Sequence, residues 1–157
     1  MESHPKLITI LVADDDADDR LMAQEALEEC RLANQVRFVE NGVELLSYLR
    51  REGKYADPKV APSPGLILLD LNMPKMDGRE ALREIKADPT LRRIPIVVMT
   101  TSKAEEDIYR TYDLGVSSYV TKPVSFEGLV EVMKAIGQYW FSIVMLPDSG
   151  RTVEGRG

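Results

Sequence analysis

Residues Leu66 to Gly78 read LILLDLNMPKMDG. Four apolar residues stop at a carboxylate, Asp70. A short turn containing Pro74 follows, and then a helix-like pattern of Gly78, Ala81, Leu82 and Ile85. The apolar run reads as a buried strand. A charge at the end of such a strand is costly unless it has partners, so the surroundings of Asp70 decide how the chain is read.

Working outward, the same alternation recurs. Leu7 to Ala13 (LITILVA) is an apolar, β-branched strand, and Ala17 to Ala33 carries Met22, Ala23, Ala26, Leu27, Cys30 and Ala33 at helical spacing. Val36 to Val39 predicts a short strand, and Asn41-Gly42 precedes a helix through Val43, Leu46 and Leu49. Glu52 to Gly65 contains Pro58, Pro62 and Pro64 and is expected to be a mobile loop. Asp88-Pro89 ends the helix that begins near Gly78. Beyond it, Ile94 to Met99 predicts a fourth strand, Ala104 to Leu114 a helix stopped by Gly115, and Ser117 to Val120 a fifth strand. Ser125 caps a last helix with Phe126, Leu129, Val130, Met133 and Ile136 on one face.

Five strand–helix alternations argue for an α/β fold with a parallel sheet covered on both faces. The continuously apolar strands agree, since parallel strands are buried on both sides. Residues 1–147 fit one domain, and Asp148 to Gly157 are small and polar, an expected disordered tail. A net charge of −6 argues against direct nucleic-acid binding. One cysteine, Cys30, allows no internal disulfide, and with one histidine, His4, no Cys/His zinc site can be built. There is no apolar run of transmembrane length and no signal-peptide pattern, so a cytoplasmic protein is expected.

In a doubly wound sheet, ligands bind beyond the carboxyl ends of the strands. Asp14, Asp15 and Asp16 follow the first strand, Asp70 ends the third, Thr100 ends the fourth, and Lys122-Pro123 follows the fifth. Each signal alone has a plainer reading. The run DDDADDR is more often a solvated helix start, with Asp16 and Asp18 favouring the positive end of the dipole. A lone Lys122 is more often a surface charge, and Tyr112 and Tyr119 are more often packing residues. Jointly they place carboxylates, a hydroxyl and an ammonium at one edge. Clustered carboxylates must raise a pKa or hold a cation, and an all-oxygen set suits Mg²⁺. Mg²⁺, a lysine and a nucleophilic aspartate are the equipment of phosphoryl transfer.

These pieces resemble the receiver domain of bacterial two-component response regulators. The resemblance is carried by ILVADDDADDR, LILLDLNMPKMDG, IPIVVMTTS and SSYVTKP, with Asp70 thirty residues before Thr100 and fifty-two before Lys122. It implies a flavodoxin-like, doubly wound five-stranded sheet of order 2-1-3-4-5. It implies Asp70 as phosphoacceptor, Asp14 and Asp15 as the acidic pair with Asp15 the direct Mg²⁺ ligand, and the carbonyl of Asn72 as a further ligand. Thr100 looks like the hydroxyl that moves to the phosphoryl group, with Thr101 the small residue beside it. Lys122 looks like the cation on the acyl phosphate, joined to Pro123 by a cis peptide, and Tyr119 looks like the aromatic that turns inward on activation. Asn72 and Ser102 flank the site and are expected to tune hydrolysis. Asp14 replaces the glutamate often found there, and Ala13 is smaller than usual. Neither departure removes a functional group.

The segment QYWFSIVMLP (Gln138 to Pro147) carries Trp140, Phe141 and Val144 in a concentrated apolar stretch. Together with the proline-rich loop and the TTS sequence, it is similar to the single-domain regulators of bacterial phytochrome histidine kinases. That implies a histidine kinase partner and a homodimer built near the last helix. With no output domain evident, the expected signal is a change in protein contacts, and the only catalysis is of the chain's own phosphorylation and dephosphorylation. Two other classes compete. A haloacid dehalogenase-type phosphatase would need an acid where Asn72 stands, and a phosphorylation-independent docking protein would usually lack one of the pocket residues.

Overall fold

The computed structural model describes residues 8–30, 35–101 and 104–137. His4, Ser102, Trp140, Phe141, Val144 and the 148–157 tail lie outside them. Five parallel strands, β1 (Thr9–Ala13), β2 (Gln35–Val39), β3 (Leu66–Leu69), β4 (Ile96–Thr100) and β5 (Ser118–Thr121), form one sheet in the order β2-β1-β3-β4-β5. The helices are α1 (Ala17–Cys30), α2 (Gly42–Leu49), α3 (Gly78–Ala87), α4 (Glu105–Asp113) and α5 (Phe126–Gly137).

Side chains alternate across a strand, and here the alternation sorts the core into two halves. Ile10 and Val12, Leu66 and Leu68, and Val97 and Met99 face one side, where they meet Ala23, Ala26 and Leu27 of α1 and Leu129, Met133 and Ile136 of α5. Leu11 and Ala13, Ile67 and Leu69, and Ile96 and Val98 face the other side, against Leu45 and Leu46 of α2 and Ala81, Leu82 and Ile85 of α3. Cys30 sits at the edge of the first half, its Sγ 3.6 Å from the Val130 carbonyl oxygen.

Helix starts follow local chemistry. Asp16 accepts from the amides of Asp18 and Asp19, Asn41 from Glu44, Asp77 from Arg79 and Glu80, and the Ser125 hydroxyl from Gly128. Each satisfies amides that the first helical turn leaves open.

Two expectations need correction. The connection from Glu52 to Gly65 is packed in place rather than loose. It contains a 3₁₀ turn, Gly53–Tyr55, whose Tyr55 is buried, and Ala61 is buried too. The Tyr48 hydroxyl donates to the Pro62 carbonyl at 2.7 Å, and the Arg51 guanidinium donates to the Ala61 carbonyl and the Ser63 hydroxyl. Its buried side chains and these donors offset the entropy cost of ordering a long loop. The Lys122–Pro123 peptide is trans, because the described residues contain no cis bond. Trans is the lower-energy isomer before proline.

Candidate phosphoacceptor and metal site

The register of the sheet builds the site. Ala13 of β1 is level with Leu69 of β3, so Asp14 and Asp70 emerge side by side one residue beyond the paired rows. The Asp70 amide donates to the Ala13 carbonyl at 3.0 Å and the Asp14 amide to the Val39 carbonyl at 3.0 Å, which fixes both backbones. Thr100 of β4 is level with Thr121 of β5, and the Lys122 amide donates to the Thr100 carbonyl at 2.8 Å. Asp14, Asp70 and Lys122 continue the alternation that faces α1 and α5. Together with Asp19 they line a cavity whose remaining wall is largely apolar, with Met22, Leu68, Met99, Leu129 and Met133.

Asp14 and Asp70 are buried, while Asp15 is exposed at the rim. Each buried acid is held twice. Asp14 Oδ1 accepts from the Asp16 amide, and Asp70 Oδ1 accepts from the Asn72 amide at 3.1 Å. Their Oδ2 atoms face Lys122, whose Nζ lies 2.7 Å from Asp14 and 3.1 Å from Asp70. The third partner of Nζ is Asp19 Oδ2, at 2.7 Å.

Burial opposes the charge on Lys122, but its bonds to Asp14 and Asp19 and the field of Asp70 hold its pKa above the ordinary lysine value. Burial pushes the Asp14 carboxyl above its ordinary value, more than Lys122 pulls it down. The two shifts have different causes: burial dominates at Asp14, whereas at Lys122 the carboxylate partners overcome it.

Asp14, Asp15 and Asp70 each offer an oxygen, all within 4.8 Å of one another. Such a hard, all-oxygen donor set at a partly open edge fits a small divalent cation that keeps some of its waters.

The other residues singled out in the sequence are placed as follows. Thr100 is fully buried at the end of β4, and Thr101 is exposed. Asn72 is exposed in the loop after β3, its side-chain oxygen 3.5 Å from Arg79 Nη1. Tyr119, on β5, packs half-buried against the α2–α3 half of the core, and its amide donates to the Tyr112 hydroxyl at 3.2 Å.

Two features escaped sequence reading. Asp19 reaches Lys122 from α1; its signal was present, because it precedes Met22 and Ala23 by three and four residues on the packed face. Arg79 makes a two-pronged ion pair to Asp107 of α4, at 2.7 and 2.6 Å. That pairing joins distant segments and has no local signature.

A family model for the response regulator receiver domain matches residues 10–134. The response regulator Rcp1 of Synechocystis sp. is 41% identical over 146 residues, which cover 93% of this chain and 97% of that protein. The crystal structure of the phosphorylated cyanobacterial phytochrome response regulator RcpA superposes with a TM-score of 0.84 at 45% identity, covering 91% of this chain and 100% of that one. The Mn²⁺-bound form of Rcp1 gives 0.81 at 38% identity, covering 90% and 99%. With the sheet order, the strand-end acids and these likenesses in agreement, the chain belongs to the response regulator receiver domain family and is a phosphoacceptor of two-component signalling.

Proposed function

We propose that Asp70 is the residue that takes the phosphoryl group, from a phosphohistidine of a partner kinase, in a Mg²⁺-dependent reaction. The observation that carries this reading is Lys122 Nζ bridging the buried carboxylates of Asp14 and Asp70 at adjacent strand ends. A carboxylate oxygen of Asp70 attacks phosphorus, the P–N bond breaks, and the histidine nitrogen leaves with the electron pair. An acyl phosphate forms on Asp70. Lys122 would bond a phosphoryl oxygen and offset its charge, and Asp14, Asp15 and Asp70, with the Asn72 carbonyl, would hold Mg²⁺. The ion would supply neutralisation of the phosphoryl oxygens.

Thr100, at the end of β4, and Tyr119, on β5, form the switch in this reading. Phosphorylation adds charge and acceptor oxygens beside Thr100, and the response is a population shift in the surface around β4, α4 and β5. The kinship with RcpA supports a phytochrome-type histidine kinase as the donor. Residues 1–147 would act as one receiver unit with 148–157 beyond it. Trp140, Phe141 and Val144 would form a homodimer contact. The chain's own chemistry is then limited to its phosphorylation and dephosphorylation.

Intact mass after incubation with a small acyl phosphate tests the acceptor. A Mg²⁺-dependent gain of one phosphoryl group, absent in Asp70→Asn, is expected; the same gain in the variant moves the acceptor elsewhere. Sedimentation at several concentrations tests the dimer. Trp140→Ala is expected to weaken self-association, and an unaltered dimer would remove that residue from the contact.

A further inference from the structure

An ammonium group has three N–H donors. In Lys122 all three have carboxylate partners: Asp14, Asp19 and Asp70, at 2.7, 2.7 and 3.1 Å. Two of these belong to the three-acid cluster suited to a cation, and Asp19 does not. The conflict is atomic. Asp14 and Asp70 each have Oδ1 committed to a backbone amide, at Asp16 and Asn72, and Oδ2 committed to Lys122. A divalent cation among Asp14, Asp15 and Asp70 therefore competes with Lys122 for the charge of the same two carboxylates. Two positive groups that share acceptors repel each other, and the weaker must give way.

Asp19 lies where Lys122 can give way without losing its charge partner. It sits in the first turn of α1, its amide held by Asp16 Oδ1 at 3.1 Å. It is more open to solvent than the other two partners, with its side chain 38% exposed against 7% for Asp14 and 8% for Asp70. The Lys122 side chain is only 15% exposed, so without Asp19 the displaced ammonium would move within a confined space with no anion of its own.

We propose that Asp19 is a positioning residue: it is the carboxylate onto which Lys122 withdraws when a divalent cation takes up Asp14, Asp15 and Asp70. The role rests on the reading of those three acids as the cation site. It makes Asp19 a determinant of metal affinity without making it a ligand. It also keeps the ammonium charged and close to Asp70, ready for the phosphoryl oxygens.

The test is a double-mutant cycle read by calorimetric titration of Mg²⁺ into the full chain. Four proteins are compared: the unaltered chain, Asp19→Asn, Lys122→Met and the double variant, with far-ultraviolet circular dichroism to confirm that each folds. Asp19→Asn is expected to weaken Mg²⁺ binding by about threefold to tenfold when Lys122 is present. In the Lys122→Met background the same substitution is expected to change affinity by less than about twofold, because no ammonium remains to be held. Equal weakening in both backgrounds would show that Asp19 acts only through its long-range charge, and would overturn the proposal. No weakening in either background would overturn it as well. If the unaltered chain binds no Mg²⁺, the assignment of the three acids falls first and the role of Asp19 falls with it.

Discussion

Adding one methyl group at Gly78 should disturb both the fold and the site. A Cβ built there lies 2.3 Å from the Asp70 carbonyl oxygen and 2.7 Å from Leu71 Cα. Ordinary C–H···O approaches are about 3.3 Å or longer, so Gly78→Ala requires a separation of about 1 Å. Both obstructing atoms are backbone, and neither can rotate away. Moving α3 outward stretches the 2.8 Å bond from the Gly78 amide to the Leu71 carbonyl, and moving the loop shifts the backbone that carries Asp70. Overpacking costs about 1–3 kcal/mol, and a weakened hydrogen bond about 1 kcal/mol. The helix preference of alanine over glycine returns about 0.5–1 kcal/mol. The net cost is about 1–3.5 kcal/mol, a fall in Tm of about 2–14 °C for a domain of this size. Thermal unfolding followed by circular dichroism measures the fall, and Mg²⁺ titration measures the accompanying loss of affinity. A Tm within about 2 °C of the parent, with unchanged Mg²⁺ binding, would refute the claim that α3 presses rigidly on the loop after β3.

Two further outcomes are expected. Glu44 accepts from the Tyr55 hydroxyl at 2.6 Å and the Glu40 amide at 2.7 Å; burial works against its charge, but these bonds and Lys54 win and hold its pKa below the ordinary 4.5. Its stabilisation is therefore present above pH 4.5 and lost as pH falls through the depressed value. Glu44→Gln should lower stability at neutral pH and flatten the acid limb of urea-midpoint curves; parallel limbs for variant and parent would contradict this. The Arg79–Asp107 pair, with Asp107 only 13% exposed, should show a coupling of about 1 kcal/mol in a cycle of alanine variants followed by urea unfolding. A coupling below about 0.3 kcal/mol would reduce it to an ordinary surface pair.

The sheet was legible because parallel strands announce themselves as short, continuous apolar runs, and LITILVA, LILL and IPIVVM are such runs. The site was legible because its acids and lysine stand at the ends of those runs, where chain order alone places them on one edge. What stayed hidden depends on packing across sequence distance. Glu52 to Gly65 reads as loose because its polar and proline residues carry no period, yet Tyr48, Arg51 and Tyr55 tie it down through bonds a linear pattern does not display. Gly42 and Gly78 read as ordinary helix starts, although each faces backbone from the β3–α3 connection at less than 2.5 Å from an ideal Cβ. Asp19 was masked by its neighbours, since five aspartates in six residues look alike until the helix separates the faces.

The first and last helices pack on the same side of the sheet, and the lysine bridges partners 103 and 52 residues away. During synthesis, a chain emerging from the ribosome displays its acids long before it has a counter-ion for them. Until β5 is laid down beside β4, the pocket is a cluster of mutually repelling charges with an open flank. A chain that stops short of β5 thus lacks the cation that partners Asp14 and Asp70. The long-range ammonium contact thus ties neutralisation of the acids to the pairing of β5, the last of the five strands in chain order, with β4.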